Sequence, residues 1–164
     1  FMVGFLLMYG VLGTQFKFFI QPFIIMFAVP FGVIGAMVGL LCIGAALSII
    51  AMFGIVALSG IVVNDAIVLI DFINKRRSEN RDVTEAIIIG SGLRLRPIIL
   101  TSVTTISGLV PMAIGLGGKS PIWVLLTYII IFGLFFSTLM TLFVMPNLYA
   151  ITDDIGNFFR RFRQ

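Results

Sequence analysis

Asp65 stands deep inside an apolar run from Ile50 to Ile73, with Asn64 beside it. It lies about 15 residues into a segment of about 24, and at about 1.5 Å of rise per residue that is close to the middle of a membrane span. A charged carboxylate there costs about 2.5–3.5 kcal/mol on insertion scales. Taking up a proton removes most of that cost. An acid that exchanges a proton inside a membrane is what proton-coupled transport requires. Asp71 follows Asn64 by seven residues, on the same helical face and nearer the end of the run.

A later segment carries matching polarity. Thr101, Ser102, Thr104, Thr105 and Ser107 place five hydroxyls within seven residues. Thr101, Thr105 and Gly108 share one face. Any single hydroxyl can bond back to a carbonyl of its own helix. The cluster as a whole is expected to face the segment that holds Asp65. Arg96 opens the hydroxyl segment. It suits either snorkelling to the membrane surface or a role in proton access.

Other chemistry is excluded by counting. The sequence has no histidine and one cysteine, Cys42, which reads as a small buried apolar residue. A disulfide within the chain is impossible, and a Cys/His metal site, His/Cys haem ligation and Cys–His catalysis lack their residues. A membrane enzyme lacks a second deep acid to pair with Asp65. The sequence thus calls for no cofactor and no metal.

The elements that must position these residues are helices. The chain has 164 residues, 60% hydrophobic and 11% charged, too few charges for the polar skin of a soluble domain. Disorder needs low hydrophobicity, and a membrane barrel needs short alternating strands. The pattern predicts an all-α polytopic transmembrane bundle of about five spanning helices, at about 1–16, 20–43, 50–73, 97–115 and 122–146. The whole chain, 1–164, reads as a single transmembrane domain. The first helix reads as truncated, since the chain begins at Phe1 inside an apolar stretch without a charged leader, and the chain is expected to be a fragment. Pro30 is placed to kink the second segment. Gly35 and Gly39, with Gly32 and Ala36, form a small-residue face for close packing there. The phenylalanines are expected to face lipid.

The polar stretch 74–96 holds nine of the 18 charges. Asp82-Val83-Thr84-Glu85 reads as a capping box, followed by Ala86, Ile87 and Gly90 at helical spacing. That predicts a short amphipathic helix on the membrane surface; a solvated loop is the alternative. Alternating the five segments puts ten of the 11 basic residues on one side, at Lys17, the 74–96 loop and the tail 147–164. Lys119 alone lies opposite. Loop and C-terminus are therefore expected to be cytoplasmic. The net charge of +4 marks that membrane face rather than a nucleic-acid partner. Arg160, Arg161 and Arg163 with Phe158 and Phe159 would suit the anionic lipids of an inner leaflet.

Three motifs carry a family resemblance. Gly60-Ile61-Val62-Val63-Asn64-Asp65-Ala66-Ile67-Val68-Leu69-Ile70-Asp71-Phe72 resembles the tenth transmembrane helix of resistance–nodulation–division (RND) efflux permeases of the acriflavine-resistance type. Arg94-Leu95-Arg96-Pro97-Ile98-Ile99-Leu100-Thr101-Ser102 resembles the start of the eleventh, and Val29-Pro30-Phe31-Gly32-Val33-Ile34-Gly35-Ala36 the ninth. The motifs stand in the family's order, and the resemblance covers essentially the whole chain.

The resemblance implies a homotrimeric secondary transporter of the bacterial inner membrane, not an enzyme. It implies drug/proton antiport driven by the proton-motive force, through a periplasmic adaptor and an outer-membrane channel. The chain would hold the last five helices of the second repeat. The other half of the permease, with the paired aspartates of the fourth helix, would be its main partner. The family's relay threonine falls on Thr101 and its arginine on Arg96. Its tenth-helix lysine falls on Asn64, a departure that rules out the usual Lys–Asp pair. The proton relay is therefore expected at Asp65, Asn64, Thr101 and Arg96, with Asp71 and Thr105 secondary. A related exporter of metal ions or lipids, or a membrane interaction module without transport, are the alternatives.

Overall fold

A computed structural model describes residues 2–15, 20–78, 83–116 and 120–161. Most of them lie in six helices: α1 (Met2–Gln15), α2 (Ile20–Met26), α3 (Ala28–Ile43), α4 (Ile49–Arg77), α5 (Val83–Ala113) and α6 (Pro121–Arg161). No strand occurs among the described residues. Four stretches are long and apolar enough to cross a membrane: Gln21–Ile43, Ile49–Arg77, Ile87–Ala113 and Pro121–Thr152. The expected all-α bundle is thus observed. With 14 residues, α1 is shorter than a full span.

Local chemistry sets the helix ends. Pro30 has no N–H to offer the Met26 carbonyl, and its ring crowds that turn. The helix accordingly breaks at Phe27, whose N–H is shared between the Phe23 and Ile24 carbonyls at 3.2 and 3.1 Å. Gly44 closes α3 in the left-handed region, with φ of 68°, which a side chain would resist. Ser48 then starts α4, its Oγ accepting from the Ala51 N–H at 3.2 Å.

Two helices run longer than the residue pattern predicts. The amphipathic stretch is helical, but it continues through Pro97 into the next span as one 31-residue helix. Its inner side explains why. Ile87 is buried, and Gly90 lies so close to α4 that an added Cβ would stand 3.1 Å from Ile73 Cγ1. The segment is held against protein rather than lying alone on a surface. Asp82, the expected cap, is outside the described residues. Likewise α6 passes Pro146, the expected end of its span, and reaches Arg161. Beyond that proline the helix stays docked through Tyr149, which is 3% exposed.

The core lies between α3, α4 and α6. Ala28, Val29, Ala36 and Leu40 from α3 meet Leu58, Val62, Leu69 and Ile70 from α4 and Ile129, Leu134 and Met145 from α6. The small-residue face of α3 is where α6 approaches. A Cβ on Gly35 would stand 2.6 Å from Phe136 Cβ and 2.8 Å from the Phe132 carbonyl oxygen. Phe23, Phe53, Phe135 and Phe143 point outward, as expected for lipid-facing bulk. Cys42 also points outward, against the expectation of burial. It sits in the last turn of α3, past the small-residue face that packs on α6.

Candidate functional site

The face each candidate occupies follows from the apolar stripe of its helix. On α4, Val62, Val63, Ala66, Leu69, Ile70 and Ile73 are buried at a helical repeat. Asn64 lies about 200° around from both Val62 and Ala66, at about 100° per residue. It is exposed, and so is Asp71 one face-repeat later. Asp65 stands at the margin of the stripe and is half-buried. Among the described residues, no hydrogen bond or ion pair reaches the side chains of Asn64, Asp65 or Asp71.

The hydroxyls of α5 divide into two groups. Thr101 donates to the Ile98 carbonyl at 2.9 Å, Thr104 to Leu100 at 2.7 Å and Thr105 to Thr101 at 2.8 Å. These three are exposed and bond within their own helix. Ser102 is buried and faces α6 instead. Its Oγ donates to the Ile98 carbonyl at 3.0 Å, or shares a hydrogen bond with Thr138 Oγ1 at 2.7 Å. The five hydroxyls therefore do not turn together toward α4, as the sequence suggested. The 100° step between Thr101 and Ser102 separates an open face from a packed one. Arg96 is exposed at the charged end of the span.

Asn64, Asp65, Asp71, Arg96, Thr101 and Thr105 thus all lie on surfaces of α4 and α5 that the described residues leave wholly or partly open. No side-chain-to-side-chain bond joins them to one another; the one link is Thr105 Oγ1 to the Thr101 carbonyl along α5. Among the described residues, no group of three or more His, Cys, Asp or Glu side chains could hold a metal ion.

Two polar groupings escape a reading of the sequence. In the first, the side-chain amides of Gln21 on α2 and Asn74 on α4 pair in both directions. Gln21 Nε2 donates to Asn74 Oδ1 at 2.8 Å, and Asn74 Nδ2 donates to Gln21 Oε1 at 3.0 Å. The Tyr149 hydroxyl from α6 donates to the same Asn74 Oδ1 at 2.7 Å. The available signal was one polar residue near the relevant end of each of three apolar runs. The grouping also places the start of α2, the end of α4 and the last third of α6 at one end of the bundle, as the alternating topology requires. In the second grouping, the Arg94 and Arg76 guanidinium carbons lie 4.5 and 5.4 Å from the centroid of the Phe72 ring.

Fold and site together define a polytopic helical membrane bundle with one mid-span acid. The AcrB/AcrD/AcrF family matches residues 1–153, and the chain belongs to that family. It is 41% identical over 146 residues to the swarming motility protein SwrC of Bacillus subtilis (strain 168), covering 88% of the chain and 14% of that protein. It is 36% identical over 148 residues to the multidrug resistance protein MdtC of Erwinia tasmaniensis, covering 90% and 14%. A crystal structure of a heavy metal efflux pump superposes with a TM-score of 0.82 at 33% identity, over 92% of the chain and 15% of that pump. The chain thus spans about a seventh of the length of these relatives. The resemblance to RND efflux permeases carried by the three motifs is confirmed.

Proposed function

We propose that these helices close the membrane domain of a proton-driven RND efflux permease that exports drugs and similar amphiphiles. Asp65, Asn64, Thr101 and Arg96 form their share of the proton path, with Asp71 and Thr105 in secondary roles. One observation supports this above the rest: Asp65 lies mid-span on a half-open surface, with no partner among the described residues. A carboxylate in that place is costly unless it is protonated or meets a donor. The donor comes from the other half of the permease. Asn64 is neutral and can hydrogen-bond to either protonation state of such a partner.

The assembly follows the family. The working protein is a homotrimer in the bacterial inner membrane, joined to a periplasmic adaptor and an outer-membrane channel. The basic end of the bundle faces the cytoplasm. The proton-motive force replaces any cofactor. The test uses the full-length permease in energised cells. Asp65→Asn is expected to abolish efflux while the amount in the membrane stays normal. Full efflux by that variant would overturn the assignment.

A second reading, export of metal ions, is favoured by the likeness to the heavy metal efflux pump. The same bundle would serve it, or an exporter of lipids, because the helices couple transport to protons while other parts choose the cargo. Comparing resistance to metal salts with resistance to amphiphilic drugs in a deletion strain separates these readings.

A further inference from the structure

The Thr141 hydroxyl on α6 is buried without a partner. The residue is 1% exposed, and its Oγ1 meets no donor or acceptor among the described residues. Two other buried threonines of α6 are satisfied. Thr127 donates to the Trp123 carbonyl at 2.7 Å, and Thr138 Oγ1 lies 2.7 Å from Ser102 Oγ. A buried hydroxyl that has given up water and gained nothing in return is destabilising.

Three contacts fix the height of Thr141 in the bundle. A Cβ on Gly54 would stand 3.2 Å from Ile129 Cγ2, Gly133 is pressed on the Leu58 side chain, and Tyr149 bonds Asn74. The α6 member of each pair lies 75 positions after its α4 member. The two helices therefore run parallel in constant register. That register sets Thr141 level with Ala66, one residue from Asp65. Ala66 is fully buried and carries only a methyl group.

The faces converge as well. Asp65 lies seven residues past Leu58 and eleven past Gly54, so it is within about 20° of both at about 100° per residue. Both of those residues meet α6. Seven residues beyond Asp65, Phe72 meets α5, with the Arg94 guanidinium carbon 4.5 Å from its ring centroid. Asp65 thus faces the seam between α5 and α6. On α6, Gly133 meets α4 and Thr138 meets α5. Thr141 lies about 80° from Gly133 and about 60° from Thr138, between the two. Asp65 and Thr141 therefore face one seam from two helices at one depth. No direct bond joins them.

We infer that Thr141 holds an internal water molecule in the α4–α5–α6 seam, and that this water hydrogen-bonds the Asp65 carboxyl. Polar groups that share a buried seam without touching are joined in this way when a water fits between them. A carboxyl has two oxygens. The water serves the one toward the seam, and the open side of α4 leaves the other to the rest of the permease. Thr141 is a positioning residue, since it acts on Asp65 through the water. The inference deepens the reading of Asp65 as a proton carrier and rests on it.

The test is infrared difference spectroscopy of full-length permease in lipid, between its protonated and deprotonated forms. The carbonyl band of protonated Asp65 is the one lost in Asp65→Asn. Thr141→Val keeps the shape and removes the hydroxyl, and it should move that band to higher frequency. A water O–H band, identified by its shift in water labelled with heavy oxygen, should vanish in the same variant. Thr141→Ser should keep both bands. Thr127→Val, which removes a buried hydroxyl already bonded to its own helix, should also leave both in place. Thr141→Ala serves as the test if the valine variant does not reach the membrane. An unmoved Asp65 band, a water band that persists without the Thr141 hydroxyl, or equal shifts from Thr141→Val and Thr127→Val would each overturn the proposal. Efflux by Asp65→Asn tests the transport role separately, because the bands report the hydrogen bond whether or not the proton drives export.

Discussion

The Tyr149 hydroxyl donates to Asn74 Oδ1 at 2.7 Å, joining residues 75 positions apart in the chain. Gln21 donates to the same oxygen and accepts from the Asn74 amide. One amide thus binds α2, α4 and α6 at the basic end of the bundle. Hydrogen bonds between membrane helices average about 0.6 kcal/mol and reach about 1.7. Tyr149→Phe should therefore lower stability modestly, by about 0.5–1.5 kcal/mol. Asn74→Leu should cost more, because it leaves Gln21 buried without a partner. Thermal unfolding of the full-length permease in detergent measures both. Equal losses would show that the Gln21 pairing adds nothing.

Ser102 and Thr101 are neighbours with opposite surroundings. Ser102→Ala removes the hydrogen bond to Thr138 across α5 and α6 and should lower thermal stability with little effect on transport. Thr101→Ala removes only a bond within its own helix and should spare stability but reduce proton-coupled efflux. Thr104→Ala, on the same exposed side, should be milder than Thr101→Ala. Equal effects of Thr101→Ala and Thr104→Ala on efflux would assign Thr101 to packing.

Gly35→Ala should destabilise the bundle. The added Cβ meets Phe136 Cβ and the Phe132 carbonyl well inside contact distance, and the carbonyl is backbone that cannot swing away. Overpacking of this kind costs about 1–3 kcal/mol. Gly60→Ala has nothing within 4 Å and should be neutral or mildly stabilising. The yield of folded protein after mild heating compares the two.

Ala46→Cys and Ser78→Cys should report the orientation. Ala46 is exposed between α3 and α4, and Ser78 is exposed at the end of α4, at the opposite end of the bundle. In a cysteine-free background, a membrane-impermeant maleimide should label Ala46→Cys in spheroplasts. It should label Ser78→Cys only after permeabilisation. The reverse pattern would invert the topology.

Much of the fold was written in composition and runs. Long apolar segments dictated helices, Pro30 announced the break at Phe27, and Gly35 and Gly39 announced a close approach. The lengths of α5 and α6 were not readable in this way. A proline breaks a helix only where packing does not hold the chain in line. Whether Ile87, Gly90 and Tyr149 find neighbours is settled by helices distant in sequence.

The candidate site divides similarly. The sequence by itself determined that Asp65 is the one deep acid, because its depth depends only on counting residues along a span. It also determined the family, through three motifs in order. The tertiary structure decided which sides are covered. It turned Ser102 inward and left Thr101 outside, gathered Gln21, Asn74 and Tyr149 into one knot, and set two arginines on Phe72. Helical spacing gives the angle of a side chain about its own axis, but only the packing of one helix on another gives that angle something to face.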